Sequence, residues 1–225
     1  HRIAIALRNP ASAGLEEGAK VCVYSPNHVL AYAAILGIVR SGCVWAPLNA
    51  RNALDENIYI LNNLDVEFMF YHSSFAGYLD RIRTECPKIK AFVCLDAADG
   101  APSLDSWLVP HQGLFPDRPD IADEVVALVS SGGTTGRPKG VMETNMVFET
   151  MAANFYAGMP IKEPPVYLVV APITHAAGVT SFPLLAHGAT CIFMNGADPE
   201  AIMRNIQKHR VSHLFLPPTV IYMML

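Results

Sequence analysis

The chain has 225 residues, 52% of them hydrophobic and 16% charged, with a formal net charge of −4 at pH 7. That length can bury a real core, and the charge density is too low for a disordered chain. Scattered Lys and Arg under a net negative charge give no electrostatic footing for nucleic acid or an anionic membrane as the main partner. The apolar richness suits parallel sheets, whose strands are buried on both faces.

The first residues, His1-Arg2-Ile3-Ala4, carry no initiator Met and do not read as a signal peptide. A strand is predicted over 20–24, followed by the turn signal Ser25-Pro26-Asn27 and an apolar helix over about 29–40 that stops at Ser41-Gly42. Next come a strand over 43–47, a helix from near Asp55, a strand over 68–71, a helix over about 75–86 and a strand over 91–95. The stretch 96–120 is rich in Pro, Asp and Gly and is the candidate connection between sub-lobes. Alternation then resumes, with strands over 125–129, 167–170, 190–194 and 214–216 and helices near 144–155 and 199–209. Strands spaced by helices predict an α/β fold of mainly parallel sheets flanked by helices. The chain ends in the apolar Ile221-Tyr222-Met223-Met224-Leu225, so truncation at both ends is expected, and with it self-association of the isolated chain through strand edges left bare.

The five cysteines, Cys22, Cys43, Cys86, Cys94 and Cys191, are odd in number and form no C-x-x-C pair. Neither a zinc site nor a complete disulfide framework is implied, and reduced thiols in a cytoplasmic protein are expected. Apolar runs are too short or interrupted for a membrane span: one stops at Arg40, another is broken by Pro172, His175 and Pro183.

The most informative segment is Ser130-Ser131-Gly132-Gly133-Thr134-Thr135-Gly136-Arg137-Pro138-Lys139-Gly140-Val141, which follows a run of apolar strand formers. Its glycines let the backbone approach a ligand closely. The hydroxyls of Ser130, Ser131, Thr134 and Thr135, with backbone N–H groups, suit a polyanion, and Lys139 adds a compact charge for phosphate oxygens. A Walker A loop is excluded: Pro138 stands where that pattern has its second glycine, and Gly140 where it needs a magnesium-binding hydroxyl. A G-x-S-x-G elbow is also absent, which removes hydrolase chemistry at Ser130 or Ser131.

The segment resembles the signature loop of the adenylate-forming superfamily, which includes acyl-CoA and aryl-CoA synthetases, firefly luciferase and the adenylation domains of peptide synthetases. It departs only at Gly132, where many members have Ser, losing one hydroxyl. The resemblance implies ATP-dependent activation of a carboxylic acid to an acyl-adenylate and then a CoA thioester. On that reading Lys139 neutralises phosphate charge, Thr134 and Thr135 bond the β- and γ-phosphates, Ser130 and Ser131 join them, and Gly132, Gly133 and Gly136 shape the backbone. A peptide-synthetase adenylation domain, or a non-catalytic phosphate-binding or interaction module, stays open as an alternative.

A second element agrees. In Ala171-Pro172-Ile173-Thr174-His175-Ala176-Ala177-Gly178-Val179, the residues Pro172, His175 and Gly178 match the superfamily's Pro-x-x-His-x-x-Gly. His175 is expected just beyond the C-terminal end of a strand, the edge where ligands gather in open α/β sheets. The resemblance implies that it lines the acyl pocket and positions or gates the acid; metal binding is not expected of it. Weaker likenesses run through Gly18-Ala19-Lys20-Val21 with Ser25-Pro26-Asn27 and through residues 36–49, and are read as packing and turn chemistry. His72, His111, His187, His209 and His213 have no metal-ligand spacing. The superfamily's aromatic-Gly-x-Thr-Glu segment for Mg2+ and Thr-Gly-Asp segment for ribose do not occur before Leu225. The expectation is therefore a partial N-terminal AMP-binding domain over 1–225, inactive alone, whose Mg2+ ligand lies outside it and whose small-molecule partners are ATP, CoA and the acid.

Overall fold

Short apolar runs become strands, and the amphipathic segments between them become the helices that return the chain. The computed structural model describes residues 1–97, 101–130 and 139–225, which divide into two compact units. The first comprises His1–Ser25 and Leu30–Val147, the second Pro26–Val29 and Phe148–Leu225.

In the first unit, α1 (Arg2–Arg8) precedes β1 (Lys20–Tyr24), α2 (Val29–Ser41), β2 (Val44–Pro47), α3 (Leu54–Asn63) and β3 (Phe68–Tyr71). A 3-10 turn, Ser73–Tyr78, runs into α4 (Leu79–Glu85), then β4 (Ala91–Cys94), α5 (Leu104–Leu108), β5 (Val125–Ser130) and β6 (Gly140–Thr144). These strands form one sheet in the order β4-β3-β1-β2-β5-β6. All pairings are parallel except β5 with β6, which is antiparallel. Parallel neighbours need crossovers, and right-handed crossovers place helices on opposite faces according to the direction of travel. Accordingly α3 and α4 pack Ile58, Ile60, Leu61, Leu79 and Ile82 with Met69 and Tyr71 on one face. On the other face Trp107 of α5 meets Phe68 and Phe70, with centroids 5.6 Å away in each case.

In the second unit, α6 (Asn145–Gly158, which starts in the first) leads to β7 (Val166–Val169), α7 (Ala176–Ala186), β8 (Thr190–Phe193), α8 (Pro199–His209), β9 (His213–Leu214) and α9 (Pro218–Met224). Its sheet is parallel, in the order β8-β7-β9. Leu168, Val170, Ile202 and Val220 form its buried core. Helix α8 has its start and stop written in sequence: the Asp198 carboxylate accepts from the Ala201 N–H at 2.8 Å, Pro199 opens the first turn, and Arg210 closes it in the left-handed region.

The predicted α/β class and its parallel sheets stand. The helix expected over 75–86 is split, because His72 Nδ1 accepts from the Ser74 N–H at 3.2 Å and starts a 3-10 turn that contains Gly77. The connection 96–120 contains α5, opened by Ser103, whose hydroxyl accepts from the Ser106 N–H. A helix was expected directly after the glycine-rich loop; strand β6 comes first. Four cysteines are buried, Cys191 is half-buried, and all five are unpaired. Among the described residues no helix is long and apolar enough to cross a membrane.

Candidate functional site

The glycine-rich segment is tied at its base. Strand β5 supplies Ser130 at its last position and β6 supplies Gly140 at its first, and the two residues stand opposite each other in the antiparallel ladder. Val129 faces Val141 and Leu128 faces Met142 behind them. Directly opposed residues in such a ladder lie about 5 Å apart, so both ends of the segment are held together by sheet hydrogen bonds. Lys139, exposed, immediately precedes β6 and is therefore carried next to Ser130's end of the ladder. A Cβ at Gly140 would come within 2.7 Å of Leu64 Cδ2, the tip of a flexible side chain that would have to turn aside. Ser131, Gly132, Gly133, Thr134, Thr135 and Gly136 lie outside the described residues.

His175 belongs to the second unit, beyond the C-terminal end of β7 as the sequence predicted. It is the N-cap of α7, with extended backbone, and its Nδ1 accepts the Ala176 N–H at 2.9 Å. That bond commits Nδ1 as an acceptor, so the neutral ring carries its proton on Nε2 and presents an N–H from an exposed side chain. Gly178 is required by space: a Cβ there would lie 2.7 Å from the Ile173 carbonyl carbon and closer still to its oxygen. The Gly178 N–H donates to the His175 carbonyl at 2.9 Å, and the Gly178 carbonyl accepts from Ser181 Oγ. Below, the buried Tyr167 hydroxyl donates to the Ala177 carbonyl at 2.9 Å.

The turn that carries His175 is fixed by a residue that the sequence reading treated only as turn chemistry. Asn27 lies in the Pro26–Val29 segment of the second unit. Its Oδ1 accepts the Ile173 N–H at 2.9 Å, and its Nδ2 donates to the Ala171 and Met194 carbonyls, each at 3.0 Å. The Val170 and Val169 carbonyls lie at 3.3 and 3.4 Å. An amide nitrogen has two hydrogens, so the two nearer acceptors are the main partners and the others are shared. One side chain thereby ties the C-terminal ends of β7 and β8 to the turn before His175. The usable signal was a carboxamide after a strand and a proline, since a carboxamide can serve N–H and C=O groups at once.

No group of three or more His, Cys, Asp or Glu able to hold a metal occurs among the described residues.

The description AMP-binding enzyme fits the whole sequence: that family model matches residues 1–225. Feruloyl-CoA synthase of Amycolatopsis sp is 29% identical over 222 residues, covering 97% of this chain and 42% of that protein. Sulfoacetate–CoA ligase of Cupriavidus necator is 27% identical over 217 residues, covering 95% of this chain and 42% of that protein. The chain thus spans less than half the length of these relatives. Among solved structures, the inhibitor-bound N-terminal domain of FACL13 from Mycobacterium tuberculosis superposes with a TM-score of 0.88 at 25% identity. That superposition covers 99% of this chain and 55% of the other. With its α/β architecture, its tied glycine-rich segment and a match along its full length, this chain belongs to the AMP-binding enzyme family.

Proposed function

We propose that the whole protein uses ATP to join a carboxylic acid to coenzyme A. In the first half-reaction a carboxylate oxygen attacks the α-phosphorus, the bond to the β-phosphate bridging oxygen breaks, and pyrophosphate leaves. In the second the thiol sulfur attacks the acyl carbon, AMP leaves, and the thiol proton passes to solvent. The acid is already ionised at pH 7, so the first step needs no general base. Positioning and charge neutralisation carry such a displacement.

The observation that best supports this reading is the antiparallel base that holds Ser130 opposite Gly140 with Lys139 beside it. A ladder that fixes both ends of a Gly- and Thr-rich loop reduces the entropy lost when the loop closes on phosphates. On this proposal Lys139 offsets the charge of the leaving pyrophosphate, Ser130, Ser131, Thr134 and Thr135 donate hydroxyls to phosphate oxygens, and Gly132, Gly133 and Gly136 admit the backbone to the ligand. His175, whose Nδ1 is spent on its helix, directs an Nε2 proton toward the acid and orients it. Relatives named as CoA ligases support a thiol acceptor. The described residues provide no carboxylate set for Mg2+.

The test is acid-dependent exchange of labelled pyrophosphate into ATP by the full-length protein and its Lys139→Ala variant. Losing one charge-assisted contact costs about 1.5–3 kcal/mol, or roughly 10- to 150-fold in rate at subsaturating ATP. Exchange at wild-type rate under those conditions removes Lys139 from the site and the proposal with it.

A further inference from the structure

At the carboxyl edge of the first sheet, β1 and β3 are neighbours whose connections part: β1 leads into α2, and β3 leads through the 3-10 turn into α4. Helix α4 packs with Met69 and Tyr71 on one face. On the other, Gly37 of α2 lies against Ile3 of α1, whose Arg2 reaches the Leu108 carbonyl of α5. Connections that part in this way mark the edge where α/β sheets gather ligands. The residue just beyond β3 there is His72, its N–H bonded to the Tyr24 carbonyl of β1 at 3.0 Å.

His72 meets different partners through its two ring nitrogens. Nδ1 accepts the Ser74 N–H at 3.2 Å, and Ser74 Oγ lies closer, at 2.9 Å. A backbone N–H can only donate, so Nδ1 is unprotonated and the neutral ring carries its hydrogen on Nε2. Nε2 stands 3.3 Å from Oδ2 of Asp96, which lies just past β4. Asp96 is itself aimed: its Oδ2 accepts the Ser73 hydroxyl at 2.6 Å and its Oδ1 the Ser73 N–H at 2.8 Å. The His72 and Asp96 side chains are 20% and 22% exposed, whereas Ser74 is open to solvent. An accessible hydroxyl, a lone pair facing it and a carboxylate behind the ring stand in the order nucleophile, base, orienter. Capping the 3-10 turn accounts for the bond from the Ser74 N–H but not for a carboxylate set on the opposite nitrogen.

We propose that Ser74 is a nucleophile for activated esters, with His72 as its base and Asp96 as the residue that positions the ring. Ser74 Oγ attacks the ester carbonyl carbon while its proton passes to His72 Nδ1, and Asp96 offsets the charge on the ring that forms. The bond from that carbon to the leaving oxygen breaks, and the departing alkoxide or phenolate takes the proton. Water then attacks the acyl-Ser74 ester, the carboxylic acid leaves, and the water's proton returns through Nδ1 to Ser74 Oγ. Protonating Nδ1 forfeits the bond from the Ser74 N–H, so good leaving groups such as phenols are favoured over amines. This chemistry uses none of Ser130, Lys139 and His175 and is independent of thioester formation.

The probe is an alkyl fluorophosphonate added to the full-length protein, with the modified peptide identified by mass. Phosphorus stands in for the carbonyl carbon and fluoride leaves, so the adduct stays on the attacking oxygen. The folded protein is expected to carry the adduct on Ser74, and the urea-unfolded protein to carry none there. His72→Asn keeps an oxygen to accept the Ser74 N–H but has no basic nitrogen, and should slow modification about 100-fold or more. Ser74→Ala keeps that N–H and removes the hydroxyl, and should abolish the burst of 4-nitrophenolate released from 4-nitrophenyl acetate. Asp96→Ala should slow modification about tenfold or more, and Asp96→Asn, which still accepts from Nε2, should restore part of the rate. The proposal is overturned if Ser74 carries no adduct, if His72→Asn is modified at the parent rate, or if the burst is unchanged in Ser74→Ala. Equal rates in the two Asp96 variants overturn the role given to Asp96.

Discussion

Replacing Asn27 with Ala tests how the turn before His175 is held. The substitution removes the acceptor of the Ile173 N–H and the donor to the Ala171 and Met194 carbonyls. Ile173 is 1% exposed and Ala171 7%, so water cannot readily take over at either. A buried donor left without a partner costs about 1–3 kcal/mol, and each lost neutral hydrogen bond about 1 kcal/mol, giving about 2–4 kcal/mol in all. The loss should be local, so it is best read by amide hydrogen exchange at groups that do not touch Asn27. These are the His175 N–H, bonded to the Pro172 carbonyl, and the Gly178 N–H, bonded to the His175 carbonyl. Opening made easier by that amount lowers their protection by about 30- to 1,000-fold. Asn27→Asp separates the donor from the acceptor role. It restores an acceptor for Ile173 but sets a carboxylate against the carbonyls of residues 169, 170, 171 and 194, and should be at least as damaging as Ala. Wild-type protection in the Asp variant would refute the argument, because it would show that the amide donor holds nothing.

Gly178→Ala forces a methyl group into the Ile173 carbonyl and should destabilise the second unit by about 2 kcal/mol or more, read as a lower urea midpoint; an unchanged midpoint means the turn relaxes freely. His175→Ala removes the N-cap of α7 and should cost about 1 kcal/mol, whereas His175→Asn keeps a capping oxygen and most of the stability. In the full-length enzyme both variants should raise KM for the acid more than KM for ATP, and equal effects on the two would take His175 out of acid positioning. At low pH the probe is Asp96. Desolvation opposes its ionisation but is outweighed by the Ser73 hydroxyl and N–H, at 2.6 and 2.8 Å, and by His72, leaving its carboxyl below the usual range. Its stabilising contribution is therefore full above the unfolded carboxyl pKa of about 3.9 and is lost as pH falls through the lower folded value. The stability gap between wild type and Asp96→Asn should shrink on going from pH 5 to pH 3, and a constant gap contradicts that pairing.

The elements that sequence made legible are those whose signals are local. Four- and five-residue apolar runs such as Phe68–Tyr71 and Lys20–Tyr24 are strands in the structure, with all four residues of Phe68–Tyr71 buried. Helix α8 shows an acidic cap, a proline in the first turn and basic residues in the last. The place of His175 just beyond β7 was likewise readable, because it sits in a contiguous motif. What escaped depends on partners far along the chain. Strand β6 reads Gly-Val-Met-Glu-Thr and has little apolar alternation; it forms because β5 offers an open edge. Helix α7 contains Gly178, Val179, Thr180 and Pro183, all unfavourable by propensity, and is held by tertiary bonds, including the Tyr156 hydroxyl to the Pro183 carbonyl at 2.8 Å. Asn27 was missed for the same reason: its acceptors are more than 140 positions away.

The Gly140–Leu64 contact has a consequence for how this region can change length. Side chains alternate along a strand, so a slip of one position along β6 would bring the branched Val141 to the place where even a Cβ on Gly140 would crowd Leu64. An insertion or deletion of one residue within 140–144 would reverse the parity of the edge beyond it. The glycine thus favours one register of β6, since a slipped strand would have to turn Leu64 aside.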